Sequence, residues 1–178
     1  MDFMENDSRK ISSKSMCWVT MGVSGCGKSV VGKLLAEDVG FDYIEGDDAH
    51  SASNIEKMAA GTPLNDADRV DWLMTLHSKI RRAREQGIGL VLSCSALKRK
   101  YRDLLRTANP NIEFIHLNGD RDLIASRLKV RRDHFMPLSL LDSQIADLEP
   151  LQSDEKGVML DIRKSPVRLV ELARATMK

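Results

Sequence analysis

The chain has few of the features that mark secreted, membrane-spanning or nucleic-acid-binding proteins. Its 178 residues include three cysteines, an odd number without metal-ligand spacing, which argues against a disulfide framework and fits a reducing compartment. No apolar run approaches the roughly 20 residues that a transmembrane helix needs. With 27 basic and 26 acidic residues, the charge balance gives no electrostatic argument for nucleic acid or a membrane surface as a partner. These absences favour a globular protein of the cytoplasm.

The length and the polar N-terminus predict the domain organisation. A chain of 178 residues is large enough for one substantial core, with little room for a second. Residues 1–14 are polar and lack the apolar core of a signal peptide, so we expect a frayed tail there. Residues 15–178 are predicted to form a single domain, without internal repeats.

A glycine-rich motif is the most informative feature of the sequence. The run GVSGCGKS, from Gly22 to Ser29, matches the phosphate-binding P-loop pattern GxxxxGK[ST] and lies between a predicted strand and a predicted helix. In that context backbone N–H groups wrap a phosphate, Lys28 reaches the β- and γ-phosphates, and the Ser29 hydroxyl ligates Mg²⁺. The residues predicted to bind ATP here are Gly22, Ser24, Gly25, Cys26, Gly27, Lys28 and Ser29.

The cysteines have two kinds of predicted setting. Cys26 lies within the P-loop at a helix N-terminus, which is expected to lower the pKa of its thiol. It is either a redox-sensitive thiol or a small side chain that the loop tolerates. Cys17 and Cys94 fall in apolar strands and are predicted to be buried packing residues.

Apolar segments and helical periodicities alternate along the chain. Strands are predicted at residues 17–21, 41–45, 90–94, 112–117 and 158–162, with helices between them. Ser53 and Glu56 have capping-box spacing for a short helix, and residues 65–68 are interpreted as an acidic loop before a long amphipathic helix over 70–83. The expected fold is α/β: a three-layer α/β/α sandwich of the P-loop NTPase type, with a five-stranded parallel sheet.

A basic stretch interrupts this alternation between the fourth and fifth strands. Residues 131–137 end in a proline, and helical periodicity resumes at residue 138. Small P-loop kinases carry a mobile lid at this place, so we expect a helical lid over about residues 131–148. Arg127 and Arg131 share one helix face, where one guanidinium would suit adenine and the other the transferring phosphate. The same pattern also fits a solvated basic face.

An acidic block, Glu45-Gly46-Asp47-Asp48, follows the second predicted strand. Ligands of open α/β sheets bind at the carboxyl ends of strands, where Asp47 could accept a hydroxyl proton and hold Mg²⁺ through water. The alternative is an ordinary acidic turn, and His50 beside it is either a substrate donor or a simple polar contact. Basic groups at Arg69 and from Lys98 onward would suit an anionic substrate, or would pair with surface carboxylates.

The third predicted strand ends without the aspartate of a Walker B motif. Ser93, Cys94 and Ser95 occupy that place. This absence argues against an ATPase motor and favours a small-molecule kinase, which can take its second carboxylate from the second strand.

Several blocks, in the same order, resemble the gluconate kinases, a family of small P-loop kinases. The P-loop is generic, whereas CSALK and HFMP are more specific. The resemblance extends from Trp18 to Ala173 and rests on GVSGCGKS at 22–29, GDDxH at 46–50, NIEKMxxGTPLxDxDR at 54–69, CSALKRKYRDLLR at 94–106, HFMP at 134–137 and LLDSQxxxLE at 140–149.

The resemblance implies ATP- and Mg²⁺-dependent phosphorylation of D-gluconate at its 6-hydroxyl, by a cytosolic homodimer. It implies that Asp47 orients the acceptor hydroxyl, that Arg69 and Lys98 hold the sugar acid, and that Arg127 contacts the adenine. Arg131 would contact the transferring phosphate. The predicted catalytic residues are Lys28, Asp47 and Arg131, the substrate-binding residues Asp47, His50, Arg69 and Lys98, and the metal-binding residues Ser29 and Asp47.

Two loops depart from the family pattern. Ala49 and Ser51 replace the Leu and Pro of GDDLHP, and Asp71 replaces a proline before Trp72. Because proline pre-sets the backbone, both changes loosen loops beside the predicted substrate site and bear on substrate choice. The alternatives are a kinase of another small anionic substrate, such as shikimate or a nucleotide, and a non-catalytic nucleotide-binding regulator. A shikimate kinase would carry three glycines where this chain has Cys94-Ser95-Ala96.

Overall fold

A five-stranded parallel sheet positions the candidate site. The computed structural model describes residues 16–130 and 137–176. The strands are β1 (Cys17–Met21), β2 (Asp42–Glu45), β3 (Leu90–Ser93), β4 (Ile112–Asn118) and β5 (Gly157–Asp161). The helices are α1 (Lys28–Val39), α2 (Ala52–Ala59), α3 (Asp66–Glu85), α4 (Arg99–Ala108), α5 (Arg121–Val130), α6 (Leu138–Asp147) and α7 (Pro166–Thr176). The strand order is β2-β3-β1-β4-β5, with every neighbouring pair parallel, so the predicted α/β fold is confirmed.

Helices cover both faces of the sheet. Every residue of β1 and of β3 is buried, as is typical of central parallel strands. Successive side chains of a strand point to opposite faces. Accordingly, Trp18 packs in a core that includes residues of α1, α5 and α7, while its neighbour Val19 packs in a second core that includes residues of α3 and α4. The result is the three-layer arrangement that the alternating sequence pattern predicts.

Two local predictions about helix starts are wrong. The cap of α2 is Ser51 and not Ser53, because Ser51 has the extended backbone and its hydroxyl accepts a hydrogen bond from the N–H of Asn54. Residues 65–68 are not a loop, and Asp71, expected in a loop beside the site, lies within α3. Asn65 caps α3, and its side chain and that of Asp68 exchange hydrogen bonds with each other's backbone N–H in a capping box.

Other element boundaries differ from the predictions by small shifts. β2 begins one residue later than predicted and β5 runs over Gly157–Asp161 in place of 158–162. None of the described helices is both long and apolar enough to cross a membrane. The predicted tail over 1–14 and the first part of the predicted lid, residues 131–136 with Arg131, lie outside the described residues. α6 supplies the rest of the predicted lid segment.

Candidate active site

The P-loop has the backbone geometry of a phosphate cradle. Gly22, Gly25 and Gly27 adopt φ angles of 138°, 81° and 102°, which favour glycine. A Cβ on Gly25 would also lie 2.7 Å from the Leu128 side chain, so a larger residue would force that side chain to shift. Gly27 is the N-cap of α1, and no side chain of the described residues caps that helix. The first N–H groups of α1 are therefore available to an anion.

Hydroxyl groups near the ends of β1 and β3 donate hydrogen bonds to the backbone of the P-loop. The carbonyl of Lys28 accepts hydrogen bonds from the Thr20 hydroxyl (3.1 Å) and the Ser93 hydroxyl (3.0 Å). Both hydroxyl-bearing side chains are fully buried. Ser93 occupies the place where a Walker B aspartate is usual, and there it supports the loop backbone. The Lys28 ammonium donates to the carbonyl of Val23 at 3.0 Å.

A small cavity of about 190 Å³ opens over the P-loop. Its lining combines loop residues with three carboxylates: Ser24, Gly25, Gly27, Lys28, Ser29, Glu45, Asp47 and Asp48. We call it the smaller cavity. A hydroxyl and carboxylates are the oxygen donors that Mg²⁺ prefers, so these residues fit a magnesium-bound phosphate. Glu45, which was not among the predicted site residues, accepts a 2.7 Å hydrogen bond from the Tyr43 hydroxyl.

A second cavity of about 300 Å³ adjoins the first and is called the larger cavity. Three residues line both: Ser24, Lys28 and Asp47. The other lining residues are His50, Ile55, Met58, Ala59, Pro63, Leu64, Arg69, Ser95, Leu140, Ser143 and Gln144. A group bound in one cavity can therefore meet a group bound in the other beside Asp47 and Lys28.

The turn that carries Asp47 is fixed from two sides. A 3-10 turn over Gly46–Ala49 follows β2. A Cβ on Gly46 would lie 2.3 Å from the carbonyl oxygen of Ser93, so the turn approaches the end of β3 as closely as glycine allows. On the other side the Trp72 indole N–H donates a 2.8 Å hydrogen bond to the Gly46 carbonyl. Sequence reasoning did not assign Trp72 this role.

His50 lies against the same tryptophan. The two rings stack with centroids 4.4 Å apart and planes 12° apart. The imidazole Nε2 is 4.0 Å from Oδ1 of Asp47, and only 5% of the His50 side chain is exposed. Burial lowers the pKa of His50, an effect that the charge of Arg69 reinforces and that of Asp47 opposes. A neutral imidazole therefore faces the larger cavity near neutral pH.

Arg69 is a buried cation on the wall of the larger cavity. It lies in α3, is 6% exposed, and its Nε donates a long hydrogen bond of 3.4 Å to the carbonyl of Leu64. Its guanidinium lies 5.8 Å from the centre of the Tyr101 ring. No ion pair joins it to a carboxylate of the described residues. Buried charges are normally paired, so this guanidinium fits an anionic ligand.

Four described residues of the predicted site line neither cavity: Gly22 and Cys26 within the P-loop, and Lys98 and Arg127 outside it. The Lys98 ammonium is 3.1 Å from Oδ1 of Asp66 and 3.5 Å from Oδ1 of Asp147. Arg127 donates through Nη2 to the carbonyl of Ile162 at 2.7 Å. The structure thus brings together Lys28, Asp47, His50 and Arg69 but not Lys98 or Arg127. Their proposed roles, like that of Arg131 outside the described residues, stay predictions.

The expectation of a lowered thiol pKa at Cys26 is wrong. Cys26 is 1% exposed, and burial raises the pKa of its thiol despite the opposing charge of Lys28. Desolvation of a thiolate outweighs the field of the helix N-terminus here. Cys17 and Cys94 are buried as predicted.

Gln144 is a further residue that the sequence interpretation did not single out. It lies in α6, and its Oε1 accepts a 2.7 Å hydrogen bond from the N–H of Ser24 in the P-loop. Leu140, Ser143 and Gln144 all line the larger cavity. Their spacing of three and four residues is a helix-face signal that could have indicated this contact.

A phosphate cradle that shares a lysine and a carboxylate with a second, arginine-lined cavity defines a P-loop kinase of small molecules. A family model described as an AAA domain matches residues 17–151. The chain is 44% identical to a gluconokinase of Gluconobacter oxydans, over 96% of this chain and 97% of that one. It is 46% identical to the thermoresistant gluconokinase of Escherichia coli, over 80% and 82% of the two chains. The structure of a gluconokinase from Sinorhizobium meliloti superposes with a TM-score of 0.83 at 40% identity, covering 92% and 91%. The chain belongs to the gluconokinase family.

Proposed function

We propose that this protein catalyses ATP-dependent phosphorylation of D-gluconate to 6-phospho-D-gluconate. The observation that carries the proposal is the shared wall of the two cavities. Ser24, Lys28 and Asp47 line both of them, and the larger one also presents the buried cation Arg69. A nucleotide phosphate in the smaller cavity then faces a hydroxyl of an anionic substrate in the larger one.

The P-loop with Lys28, Arg69 and Asp47 each have a separate role in the proposed phosphoryl transfer. The P-loop N–H groups and Lys28 hold the β- and γ-phosphates. Arg69 pairs with the substrate carboxylate, which leaves the far end of the sugar acid for the transfer. Asp47 accepts the proton of the 6-hydroxyl as that oxygen forms a bond to the γ-phosphorus and the bond to the β-phosphate oxygen breaks. The products are 6-phosphogluconate and ADP.

The metal-binding residues of the proposal are Ser29 and Asp47. The Ser29 hydroxyl would hold Mg²⁺ directly and the carboxylate of Asp47 through water, with Glu45 and Asp48 on the same wall. When bound, Mg²⁺ neutralises charge on the phosphate oxygens during the transfer. The larger cavity is apolar on its α2 side and polar near Asp47, His50 and Arg69, which suits an extended polyol held by its charged end.

The resemblance to gluconate kinases supports the remaining parts of the proposal. The enzyme uses Mg·ATP, acts in the cytoplasm and forms a homodimer. Lys98 acts in substrate binding, Arg127 contacts the adenine and Arg131 the transferring phosphate. For Lys98 this requires release from Asp66 and Asp147, the carboxylates that it now contacts.

The product distinguishes phosphorylation of the 6-hydroxyl from phosphorylation of a secondary hydroxyl and from ATP hydrolysis. The enzyme is incubated with Mg·ATP and D-gluconate, and the products are followed by ³¹P NMR with proton coupling. A phosphate ester on the primary 6-carbon couples to two protons and gives a triplet, whereas an ester on a secondary carbon gives a doublet. We expect the triplet together with ADP. Inorganic phosphate and ADP alone, or a doublet, would contradict the proposal.

A further inference from the structure

The hydrogen bond between Gln144 of α6 and the P-loop can form in only one donor-to-acceptor direction. An N–H group can only donate, so the carboxamide of Gln144 must turn its oxygen to Ser24, as it does at 2.7 Å. Ser24 is 7% exposed and lines both cavities. The bond therefore lies on the boundary between the phosphate cradle and the larger cavity.

The same helix forms one wall of the larger cavity. Leu140, Ser143 and Gln144 line it from α6, and Ile55 and Met58 line it from α2. The entry to α6 also lies near the loop after α2, since a Cβ on Gly61 would be 3.5 Å from Cγ of Pro137. α6 thus bonds to the P-loop through Gln144 and begins beside the loop after α2.

We infer that Gln144 is a positioning residue, which fixes α6 on the Ser24 N–H and so sets the width of the larger cavity relative to the phosphate cradle. This inference rests on the proposed function, because that cavity is taken as the acceptor site. Gln144 need not touch the reacting atoms. Its loss leaves the phosphate-binding groups Lys28 and Ser29 in place but frees the wall that closes on the acceptor.

The variant Gln144→Met tests this inference, because methionine has a similar length and its thioether sulfur is only a weak hydrogen-bond acceptor. A single hydrogen bond is worth enough to change an affinity roughly three- to tenfold. We expect the KM for gluconate to rise by about that factor, with the Kd for ATP changed less than twofold. We also expect more ATP hydrolysis per gluconate phosphorylated, because a looser wall admits water. The control Gln152→Met changes an exposed glutamine that bonds Arg99 and lines neither cavity.

Hydrogen exchange at the Ser24 amide gives a readout that does not depend on the acceptor. Without nucleotide, the amide should exchange several-fold faster in Gln144→Met than in the parent or in Gln152→Met. Unchanged exchange would overturn the contact itself. Faster exchange with an unchanged KM for gluconate would overturn the positioning role. Faster exchange with affinities for gluconate and ATP that fall equally would overturn it too. If exchange changes as expected while gluconate is not phosphorylated by the parent, the proposed function fails and the link between α6 and the P-loop stands.

Discussion

The indole N–H of Trp72 donates a 2.8 Å hydrogen bond to the main-chain carbonyl of Gly46, one residue before Asp47. Trp72 is 1% exposed in α3, and the turn after β2 that carries Asp47 packs against it. A core residue of one layer thus fixes the backbone of the candidate catalytic turn. The same ring stacks on His50, so one side chain orders two residues of the site.

Replacing Trp72 by phenylalanine separates these two contacts. Phe keeps an aromatic ring beside His50 but cannot donate to Gly46, and a buried carbonyl without its partner costs about 1–3 kcal/mol. We expect kcat for gluconate to fall about tenfold or more, with ATP affinity nearly unchanged. Steady-state kinetics and nucleotide titration measure the two. Equal losses in both would mean that Trp72 acts only through the stability of the core.

The variant Asp47→Asn removes the proposed proton acceptor without changing size. We expect kcat to fall by about 10²- to 10⁴-fold, since that is the range for a general base, while ATP still binds. Asp42→Asn is the matched control, because Asp42 lies exposed at the opposite end of β2. If Asp47→Asn lost ATP binding as severely as turnover, its role would be in the metal site or the fold and not in orienting the hydroxyl.

Arg69→Met tests the binding of the substrate carboxylate. A hydrogen bond to a charged group contributes about 1.5–3 kcal/mol, so the KM for gluconate should rise by about 10- to 100-fold. The KM for ATP should change little. Arg82→Met, on an exposed position of the same helix, controls for the loss of an arginine. A KM for gluconate that is the same in Arg69→Met and in Arg82→Met would remove Arg69 from the site.

His116 in β4 predicts how stability depends on pH. It is 1% exposed, and burial together with the charge of Arg102 lowers its pKa from 6.5 to about 4. Between these values the unfolded chain binds a proton that the folded protein excludes. Stability is therefore complete above about pH 6.5 and declines as the pH falls towards 4, by roughly 3 kcal/mol in all.

Denaturant titrations across that range, on the parent and on His116→Leu, measure this decline. We expect the curve of His116→Leu to be flatter between pH 6.5 and 4, because leucine fills the site without a titrating group. His77→Gln, a substitution in α3, should retain the decline of the parent. The same decline in His116→Leu as in the parent would assign acid sensitivity to other groups.

Local sequence signals predicted the fold and the phosphate cradle well. The apolar strands and the glycines of the P-loop follow from short-range rules, and the structure has both where the sequence indicates them. Contacts between distant segments were not predictable in this way. The Trp72 indole bonds the Gly46 carbonyl 26 residues earlier in the chain. The Gln144 side chain bonds a loop 120 residues earlier. The ion pairs of Lys98 are long-range contacts as well, because the carboxylates that it contacts come from α3 and α6.

The direction of the pKa shift at the Cys26 thiol could not be predicted from local sequence rules either. The helix N-terminus is visible in the sequence, but the packing that buries the thiol is not. Burial comes from the surrounding core, where Cys26 packs with residues of several helices and strands. Long-range packing therefore raises the pKa of this thiol.

The most direct test of gluconate phosphorylation is the rate of ADP release from Mg·ATP across a panel of acceptors. The panel contains D-gluconate, L-idonate, 5-ketogluconate, shikimate, AMP and no acceptor. We expect strong turnover with D-gluconate alone, which would also show that Ala49, Ser51 and Asp71 are tolerated. Preferred turnover with another acceptor, or none with any acceptor while ATP still binds, would contradict the assignment.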